Sequence, residues 1–242
     1  MVFMGTNTHT SMIDLHCHIL HEIDDGSANI EMSIEMIKKQ INDGVTTIVL
    51  TPHMRSFKPE KVSKIRHNFE QLKEKVKEQN LDMRLLLGSE VYYTKESLSN
   101  KHLMTIENTS YVLVEFSTIL ETPIEEIVYN FRTLKIRPIV AHVERYGYLR
   151  KKDYTEIKKT GGLIQVNSSA ILGLDGYKRK KMARYLLKKQ LVDVVATDSH
   201  NLGDRKPNLK EAFQFVVKKY SKEYAKKIFE DNPKRIILNE SI

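Results

Sequence analysis

Short apolar runs alternate with amphipathic stretches along the chain. The first apolar run covers residues 12–15, and the amphipathic stretch that follows covers residues 29–43. Within that stretch, isoleucines recur at helical spacing at Ile30, Ile34, Ile37 and Ile41. This period is typical of the buried face of a helix, for which Asn29 is placed to cap the start and Gly44 to end the last turn. The pattern predicts one strand followed by one helix.

The same pairing of strand and helix recurs to the end of the chain. A second strand is predicted over residues 46–50, and a long helix after Pro59 has one apolar stripe made by Val62, Ile65, Phe69, Leu72 and Val76. Further apolar runs cover residues 84–87, 111–114, 137–141, 163–166 and 192–196. Repeated units of this kind favour a parallel sheet covered by helices. Seven of them favour a closed or nearly closed α/β barrel over an open sheet.

The pattern also predicts the domain organisation. A chain of 242 residues is long enough for one large hydrophobic core. No internal repeat, low-complexity segment or linker divides it, so we predict a single domain over residues 12–242. Residues 1–11 are polar and without periodicity, and we expect them to be a loose leader or residues left from cloning.

Composition narrows the class of protein. The chain is 40% hydrophobic and 29% charged, which is ordinary for a globular protein. No apolar run reaches the roughly 20 residues of a membrane span, and no secretory signal is recognisable, so we expect a cytoplasmic protein. The net charge is +8, but lysines such as Lys73, Lys75, Lys77, Lys188 and Lys189 fall on polar helix faces. We therefore expect no nucleic-acid partner, and an anionic substrate is favoured.

Groups that bind metals stand at the ends of nearly all the predicted strands. They are His16, His18, His53, Glu90, Glu115, His142, Asp198 and His200. The C-terminal ends of parallel barrel strands converge on one face, where catalytic groups gather. Neutral imidazoles and carboxylates suit zinc, manganese or iron, and a carboxylate can bridge two ions. The sequence therefore predicts a metal site at the mouth of the barrel.

Side-chain alternation predicts which groups face that mouth. Asp14, His16 and His18 share one parity, which we expect to point into the mouth. Ile13, Leu15 and Cys17 share the other, which we expect to point toward the helices. Asp198 and His200 form a second pair of this kind. Asp14 is either an orienting partner of a histidine or a structural hydrogen-bonding group. The remaining histidines, His9, His21, His67 and His102, are predicted to be solvated.

Seven motifs, spread over residues 14–201, carry a resemblance to a known family. They are DLHCHIL, DDG, TPH, GSEVYY, VEFS, AHVERY and TDSHN. Together they resemble the polymerase and histidinol phosphatase (PHP) superfamily, and their order is most similar to the manganese-dependent tyrosine-protein phosphatases of Gram-positive capsular polysaccharide synthesis. The resemblance implies a distorted (β/α)7 barrel, similar to a TIM barrel, that binds three metal ions. Manganese is the implied metal, with iron, zinc or magnesium as alternatives.

The resemblance also implies a set of site residues. The implied ligands are His16, His18, Asp25, His53, Glu90, Glu115, His142, Asp198 and His200. The sequence by itself does not choose between Asp24 and Asp25, and the DDG segment is also typical of a plain turn. Arg145 and Arg205 are implied to contact the substrate phosphate, for which their guanidinium groups are suited. Without the resemblance each would be taken as a surface charge.

The implied activity is that of a metal-dependent phosphoric monoester hydrolase. It would cleave phosphotyrosine by attack of a metal-bound hydroxide, with Arg145 and Arg205 neutralising phosphate oxygens. Asp198 or His200 could protonate the leaving group. The implied partner is the phosphotyrosine-containing C-terminal tail of a membrane-associated tyrosine kinase, with peripheral contact at the inner face of the membrane. The oligomeric state is left open.

Three alternatives stand beside this hypothesis. A small phosphomonoester such as histidinol phosphate is the second candidate substrate, and a PHP nuclease or metal-binding module is the third reading. A thiolate mechanism at Cys17 is the mechanistic rival. It is disfavoured because no glycine-rich loop follows Cys17 and the residue that follows after five intervening positions is Ile23, not arginine.

Overall fold

Parallel strands alternate with helices throughout the computed structural model, which describes residues 11–99 and 103–242. The strands are β1 (Met12–Cys17), β2 (Val45–Leu50), β3 (His53–Met54), β4 (Arg84–Leu87), β5 (Glu90–Tyr92), β6 (Tyr111–Glu115), β7 (Arg137–Val140), β8 (Leu163–Asn167) and β9 (Val194–Ala196). The helices are α1 (Ile30–Asn42), α2 (Pro59–Glu78), α3 (Ile124–Thr133), α4 (Lys151–Lys159), α5 (Ser168–Leu172), α6 (Tyr177–Lys188), α7 (Leu209–Lys219), α8 (Lys222–Lys226) and α9 (Asn232–Ile237). The predicted leader lies outside the described residues, apart from Ser11.

These strands occupy seven positions in the sheet. The same 37-residue offset pairs Leu50 with Leu87 and His53 with Glu90. β2 and β3 are therefore two parts of one strand, and β4 and β5 are two parts of the next. Around the sheet, β1 pairs with β2, β2 with β4, and β3 and β5 continue the parallel order through β6, β7, β8 and β9. The prediction of seven parallel strands is confirmed, although the described residues between β5 and β6 contain only the short 3-10 helix Lys95–Leu98 and no α-helix.

The first and last strands meet and close the curled sheet. Cys17 and Ser199 form a parallel bridge. The backbone N–H of His18 donates to the Ser199 carbonyl at 2.8 Å, and the Asp198 N–H donates to the His16 carbonyl at 2.8 Å. These bonds join residues at the C-terminal ends of β1 and β9. They therefore place the pair His16 and His18 beside the pair Asp198 and His200.

Alternate strand residues face two separate apolar layers. The outer layer joins the strands to the helices, and Ile48, Val114 and Val140 are among its strand residues. The inner layer fills the barrel with side chains of the other parity, including Ile13, Leu15, Val49, Leu86, Leu113, Ile139 and Val194. Ile236 of α9 belongs to this inner layer, and the Tyr111 hydroxyl donates to the Glu240 carbonyl at 2.5 Å. The C-terminal residues thus seal the end of the barrel where β6 begins.

The predicted parity of β1 is wrong before His16. Ile13 and Leu15 face the barrel interior, whereas Asp14 points to the helix side, where Gln40 of α1 donates to it at 2.6 Å. The register between β1 and β2 shifts between Asp14 and Cys17, and such an irregularity reverses the alternation. Beyond it, His16 and His18 face the mouth, and Cys17 faces the outer layer as predicted. Of the two alternatives given above for Asp14, the structure supports the structural hydrogen-bonding group.

The helices follow the predicted apolar stripes. The Asn29 side chain accepts a hydrogen bond from the Met32 N–H at 2.9 Å and caps α1, and Gly44 follows the helix with a φ of 85°. A positive φ of this size favours glycine, which has no Cβ. Among the helices of residues 11–99 and 103–242, none is both long enough and apolar enough to cross a bilayer.

We expect Asp14→Ala to lower the free energy of unfolding by about 3 kcal/mol. Asp14 is fully buried and accepts from the Thr197 N–H at 3.0 Å, from the Thr197 hydroxyl at 2.5 Å and from Gln40. Its removal takes an acceptor from the Thr197 N–H, the Thr197 hydroxyl and the Gln40 amide at the closure of the sheet. Denaturant unfolding followed by circular dichroism, with a chelator present, measures the effect.

The matched control is Glu74→Ala on the exposed face of α2, which should change stability by less than about 0.5 kcal/mol. An Asp14→Ala protein as stable as this control would show that the closure does not depend on the carboxylate.

Candidate metal centre

The structure brings all nine implied ligand residues to the mouth of the barrel. His16 and His18 lie at the end of β1, Asp25 in the loop after it, His53 in β3, Glu90 in β5, Glu115 at the end of β6, His142 just after β7, and Asp198 and His200 just after β9. All except Asp25, His53 and Glu115 are buried. Five imidazoles and four carboxylates therefore lie at one end of the barrel: the eight groups at the strand ends, and Asp25, which the resemblance added.

One group of donor atoms surrounds the Nε2 atoms of His16 and His18, which are 3.2 Å apart. Glu90 oxygens lie 3.5 Å from His16 Nε2 and 3.3 Å from His18 Nε2. Asp198 Oδ1 lies 3.4 Å and 3.5 Å from the same two atoms. Donors placed tetrahedrally about 2.1 Å from an ion are about 3.4 Å from each other. These separations fit a single divalent metal ion.

Two further groups adjoin the first. His53, Glu90 and Glu115 form one, and His18, Asp25, His53 and His200 form the other; in each, one donor atom per residue lies within 4.8 Å of the rest. His142 Nε2 lies 2.8 Å from Glu90 Oε1 and 3.7 Å from Glu115 Oε1, beside the former group. Glu90, His18 and His53 belong to more than one group, so the candidate ligands form one connected centre.

The outer nitrogens of three histidines are held by acceptors. His16 Nδ1 donates to Gln165 Oε1 at 3.1 Å, His18 Nδ1 to Asp24 Oδ2 at 2.8 Å, and His200 Nδ1 to the Asp198 carbonyl at 2.9 Å. In the neutral tautomer that keeps these bonds, each ring presents the Nε2 lone pair to the mouth. Metal-binding histidines are usually oriented in this way by a partner on the other nitrogen. The tautomers of these rings therefore fit a metal.

Five buried atoms of the candidate ligands form no hydrogen bond within the part of the chain that the structure describes. They are His53 Nδ1, Glu90 Oε2, Glu115 Oε2, His142 Nδ1 and His200 Nε2. Buried polar atoms are nearly always satisfied in folded proteins, and an ion is one of the usual partners where a hydrogen bond is missing. Together with the mixed oxygen and nitrogen donors, these orphaned atoms show that the residues present fit bound metal ions.

The two aspartates of the DDG segment have different positions. Asp24 accepts from His18 Nδ1 and, at 2.8 Å, from the His53 N–H. Asp25 Oδ1 lies 3.3 Å from His53 Nε2 and 3.6 Å from His200 Nε2. Asp25 therefore lies next to other candidate ligands. Asp24 instead orients His18 through the ring nitrogen that faces away from the mouth. A Cβ on Gly26 would lie 2.1 Å from the His18 carbonyl oxygen, so only glycine allows this close approach.

Burial and mutual charge set the protonation of the centre. Burial opposes a charge on His18, yet the hydrogen bonds that it donates to the carboxylates of Asp24 and Glu90 raise its pKa to about 10. Burial and then His18 lower the pKa of His200 to about 3. Asp198 is also buried, but His16 and Arg145 hold its pKa well below the usual range. The centre thus keeps an ionised carboxylate in a buried place, which requires a neighbouring cation.

Both implied phosphate-binding arginines border the centre. Arg145 Nη2 donates to Asp198 Oδ2 at 2.6 Å and is largely buried. Arg205 donates to Asp198 Oδ1 at 3.2 Å and to Asp25 Oδ2 at 3.4 Å, with about a third of its side chain exposed. Two guanidinium groups therefore flank the candidate ligands, where they are placed to meet a bound anion.

Strand β8 supplies two amides that the sequence analysis did not identify. Gln165 Oε1 accepts from His16 Nδ1 and, at 2.8 Å, from the His142 N–H. Gln165 Nε2 donates to Asn167 Oδ1 at 2.8 Å, and Asn167 Nδ2 donates to Asp198 Oδ2 at 2.8 Å. The two residues are buried and link three candidate ligands. The available signal was a pair of polar residues two positions apart in an otherwise apolar strand.

Two candidate ligands have unusual backbone conformations. His142 has a φ of 31° and Asp198 a φ of 51°. Residues other than glycine rarely adopt a positive φ, and such backbone strain concentrates at functional sites. The Asp198 and His142 N–H groups are held by the His16 carbonyl and Gln165 Oε1, respectively. Hydrogen bonds across the mouth therefore keep both residues in place.

The other predicted histidines and the cysteine can now be placed. His67 is exposed as predicted. The prediction is wrong for His21, which is 4% exposed because Asn68 of α2 packs over it and donates to its carbonyl at 2.9 Å. His9 and His102 lie outside the described residues. Cys17 is fully buried, its Sγ donates to the Val49 carbonyl at 3.5 Å, and burial raises the pKa of its thiol well above the usual range. Burial of this kind disfavours a reactive thiolate at Cys17.

A parallel α/β barrel with a metal centre at the C-terminal ends of its strands is the class that fold and site define. The sequence profile of the family described as capsular polysaccharide synthesis, CpsB/CapC, matches residues 12–238. The chain belongs to this family, which confirms the resemblance stated above.

Relatives and solved structures agree with this membership. The tyrosine-protein phosphatase CpsB of Streptococcus pneumoniae is 39% identical, over 96% of this chain and 100% of that protein. The tyrosine-protein phosphatase YwqE of Bacillus subtilis is 28% identical over 96% and 93%. A solved structure described as a metal-dependent tyrosine phosphatase, from work on YwqE and on S. pneumoniae CpsB, has a TM-score of 0.86 at 27% identity and covers 96% of both chains. An amidohydrolase from Mycoplasma synoviae shares the fold with a TM-score of 0.62 at 15% identity, covering 93% of this chain and 87% of that one.

We expect Gln165→Leu to weaken metal binding between about 10-fold and 100-fold. The leucine has a similar volume but cannot accept from His16 Nδ1, so the ring loses the bond that fixes its tautomer. Titration of the chelator-treated protein with Mn²⁺ by isothermal calorimetry measures the affinity.

Gln214→Leu on the exposed face of α7 is the matched control and should bind Mn²⁺ like the original protein. If Gln165→Leu folds and also retains the original affinity, the amide does not orient the ligand.

Proposed function

We propose that this chain is a metal-dependent protein-tyrosine phosphatase. The single observation that carries the proposal is the convergence of nine imidazole and carboxylate side chains on a mouth bordered by Arg145 and Arg205. Phosphoryl transfer needs this combination of cations and anion-binding donors around a phosphate. The tyrosine-phosphatase names of relatives such as CpsB at 39% identity support the substrate class.

The proposed ligands are His16, His18, Asp25, His53, Glu90, Glu115, His142, Asp198 and His200. We propose three ions, because the donor atoms fall into three overlapping groups. The donor set lacks a thiolate and is rich in carboxylates, which supports manganese, although the imidazoles also suit iron or zinc. Divalent ions bound here would acidify water to give a nucleophile at neutral pH and would draw charge from the phosphate oxygens.

The chain's own residues then position and neutralise the substrate. We propose that the guanidinium groups of Arg145 and Arg205 turn from Asp198 and Asp25 toward the non-bridging phosphate oxygens, which they bind through paired N–H groups. Because phenolate has a conjugate-acid pKa of about 10, it departs more readily than an alkyl alkoxide and needs less help from a general acid. This favours phosphotyrosine over alkyl phosphates.

We further propose a physiological substrate and location. The substrate would be the phosphotyrosine-containing C-terminal tail of a membrane-associated tyrosine kinase of capsule assembly, which would bring the enzyme to the cytoplasmic face of the membrane. Membership in a capsular polysaccharide synthesis family supports a substrate from that process. The alternatives remain histidinol phosphate, another small phosphomonoester, or DNA as the substrate of a PHP nuclease.

We expect the manganese-loaded protein to hydrolyse a phosphotyrosyl peptide in preference to histidinol phosphate and to a 3′-recessed DNA duplex. A chelator should abolish the activity and added Mn²⁺ should restore it, because the nucleophile depends on bound ions. Phosphate release and DNA shortening, compared at equal enzyme concentration, measure the preference. A higher kcat/KM for histidinol phosphate or cleavage of the DNA would contradict the proposed substrate.

We expect Cys17→Ser to keep most of the activity, and Arg205→Ala to lose about 100-fold in kcat/KM on the phosphotyrosyl peptide. The thiol is buried, which raises its pKa, whereas Arg205 borders the mouth. Steady-state kinetics with metal content checked by elemental analysis measures both variants. Arg66→Ala, an exposed arginine of α2, is the control for Arg205. If Cys17→Ser abolished turnover at unchanged metal content, the metal mechanism would fail.

A further inference from the structure

Helix α6 has an unusual density of positive charge. Its sequence reads YKRKKMARYLLK, and it contains no acidic residue in the first turn or elsewhere. Lys178, Arg179, Lys181 and Lys188 are exposed, and so is Lys151 at the start of α4. We call these five residues the α6 basic surface. Lys151 joins the set because its Nζ lies 4.9 Å from the ring centroid of Tyr185 on α6.

The cations of this surface are unpaired. None of the five forms an ion pair with a carboxylate of residues 11–99 or 103–242, unlike Lys73 and Lys75 of α2, which pair with Glu70 and Glu78. Three of them, Lys178, Arg179 and Lys181, stand in the first turns of α6, where the helix dipole is already positive. Their arrangement is therefore unfavourable for the helix itself and remains available for an external anion.

The surface begins beside the mouth of the barrel. Helix α6 packs against the Val143–Arg145 turn, which carries Arg145. Asp175, just before α6, lies close enough to Arg145 for their charges to interact, and the Ser169 hydroxyl donates to it at 2.7 Å. Leu174 and Tyr177 in the same region are 60% and 76% exposed. A polypeptide bound at the mouth would meet these two apolar side chains and then the cations.

The apolar side of α6 is not available to a lipid bilayer. Ala183, Leu186 and Leu187 are buried in the outer layer of the core. An amphipathic helix that lies on a membrane inserts such residues between the lipids. What α6 offers is a group of exposed cations, densest in its first turns, with two apolar residues at the same end, which suits an acidic polypeptide better than a membrane surface.

We infer that the α6 basic surface binds an acidic polypeptide segment next to the phosphotyrosine of the substrate. The inference rests on the proposed phosphatase function and adds a specificity determinant to it. Helix α6 is about 18 Å long at about 1.5 Å per residue, and an extended chain covers that length in about six residues. The substrate is therefore a phosphotyrosine followed or preceded by a run of glutamate or aspartate residues, and side chains outside the mouth select it.

The test compares three substrates of the metal-loaded full-length protein. They are a phosphotyrosyl peptide with a glutamate run on both sides, the same peptide with glutamine in place of glutamate, and p-nitrophenyl phosphate. The variant is Lys178→Gln, Arg179→Gln and Lys181→Gln together. It removes cations from the positive end of a helix, so we expect it to fold at least as well as the original chain.

We expect kcat/KM for the glutamate peptide to fall about tenfold through KM, while the other two substrates change less than about twofold. The difference should vanish in about 0.5 M salt, where exposed charges are screened. The control replaces Lys218, Lys219 and Lys222 by glutamine, which removes the same charge at the end of α7 and the start of α8. Equal losses in both variants, or no loss in the α6 variant, would overturn the inference.

Binding of the unphosphorylated glutamate peptide, followed by fluorescence anisotropy, separates this inference from the proposed function. If no phosphotyrosyl peptide is hydrolysed but the α6 variant alone loses binding, the phosphatase proposal fails and the basic surface stands. If the α6 variant binds this peptide normally but no longer sediments with phosphatidylglycerol vesicles, the surface is a membrane contact and the inference is wrong.

Discussion

The buried carboxylate of Asp14 joins the two ends of the sheet, and the rest of the site depends on that closure. Its two oxygens accept hydrogen bonds from Thr197, which follows the last strand, and from Gln40 of α1. These bonds hold Thr197 and α1 against β1. Together with the backbone bonds between His16, His18 and the segment after β9, this contact brings His16 and His18 next to Asp198 and His200, about 180 residues further along the chain. An acidic residue next to the metal site thus serves the fold, although its neighbours in the sequence serve the chemistry.

The centre combines several features that oppose stability of the protein without ions. Imidazole lone pairs face each other, carboxylates are ionised in a buried place, and two residues have positive φ. Hydrogen bonds from a second set of groups, Asp24 and the amides of β8, hold the rings in one orientation. The fold therefore holds the candidate ligand atoms in positions that bound cations would stabilise. Packing of the two apolar layers of the barrel offsets the cost of holding these atoms together without ions.

Much of the fold follows from the sequence because buried strands and amphipathic helices have strong periods. The cap at Asn29 and the ends of most strands are predicted within two residues. The side-chain alternation of β1 is not predicted correctly, because one register irregularity near Asp14 reverses it. No pattern in the local sequence indicates this irregularity. Burial of His21 depends on Asn68, which is distant in sequence. The ligands are readable since ionisable groups at strand ends are conspicuous, whereas the neutral Gln165 and Asn167 look like ordinary polar residues until their partners on other strands are known.

Glu90 has a consequence for how the centre fills. Its oxygens lie within 3.5 Å of nitrogen atoms from His16, His18, His53 and His142, which come from three different strands or strand ends. Ions that share this carboxylate would partly neutralise the same charge and repel one another, so binding of one changes the affinity for the next. The ions would then not bind independently of one another. A protein with a partly filled centre would differ in charge and shape from one with a full centre.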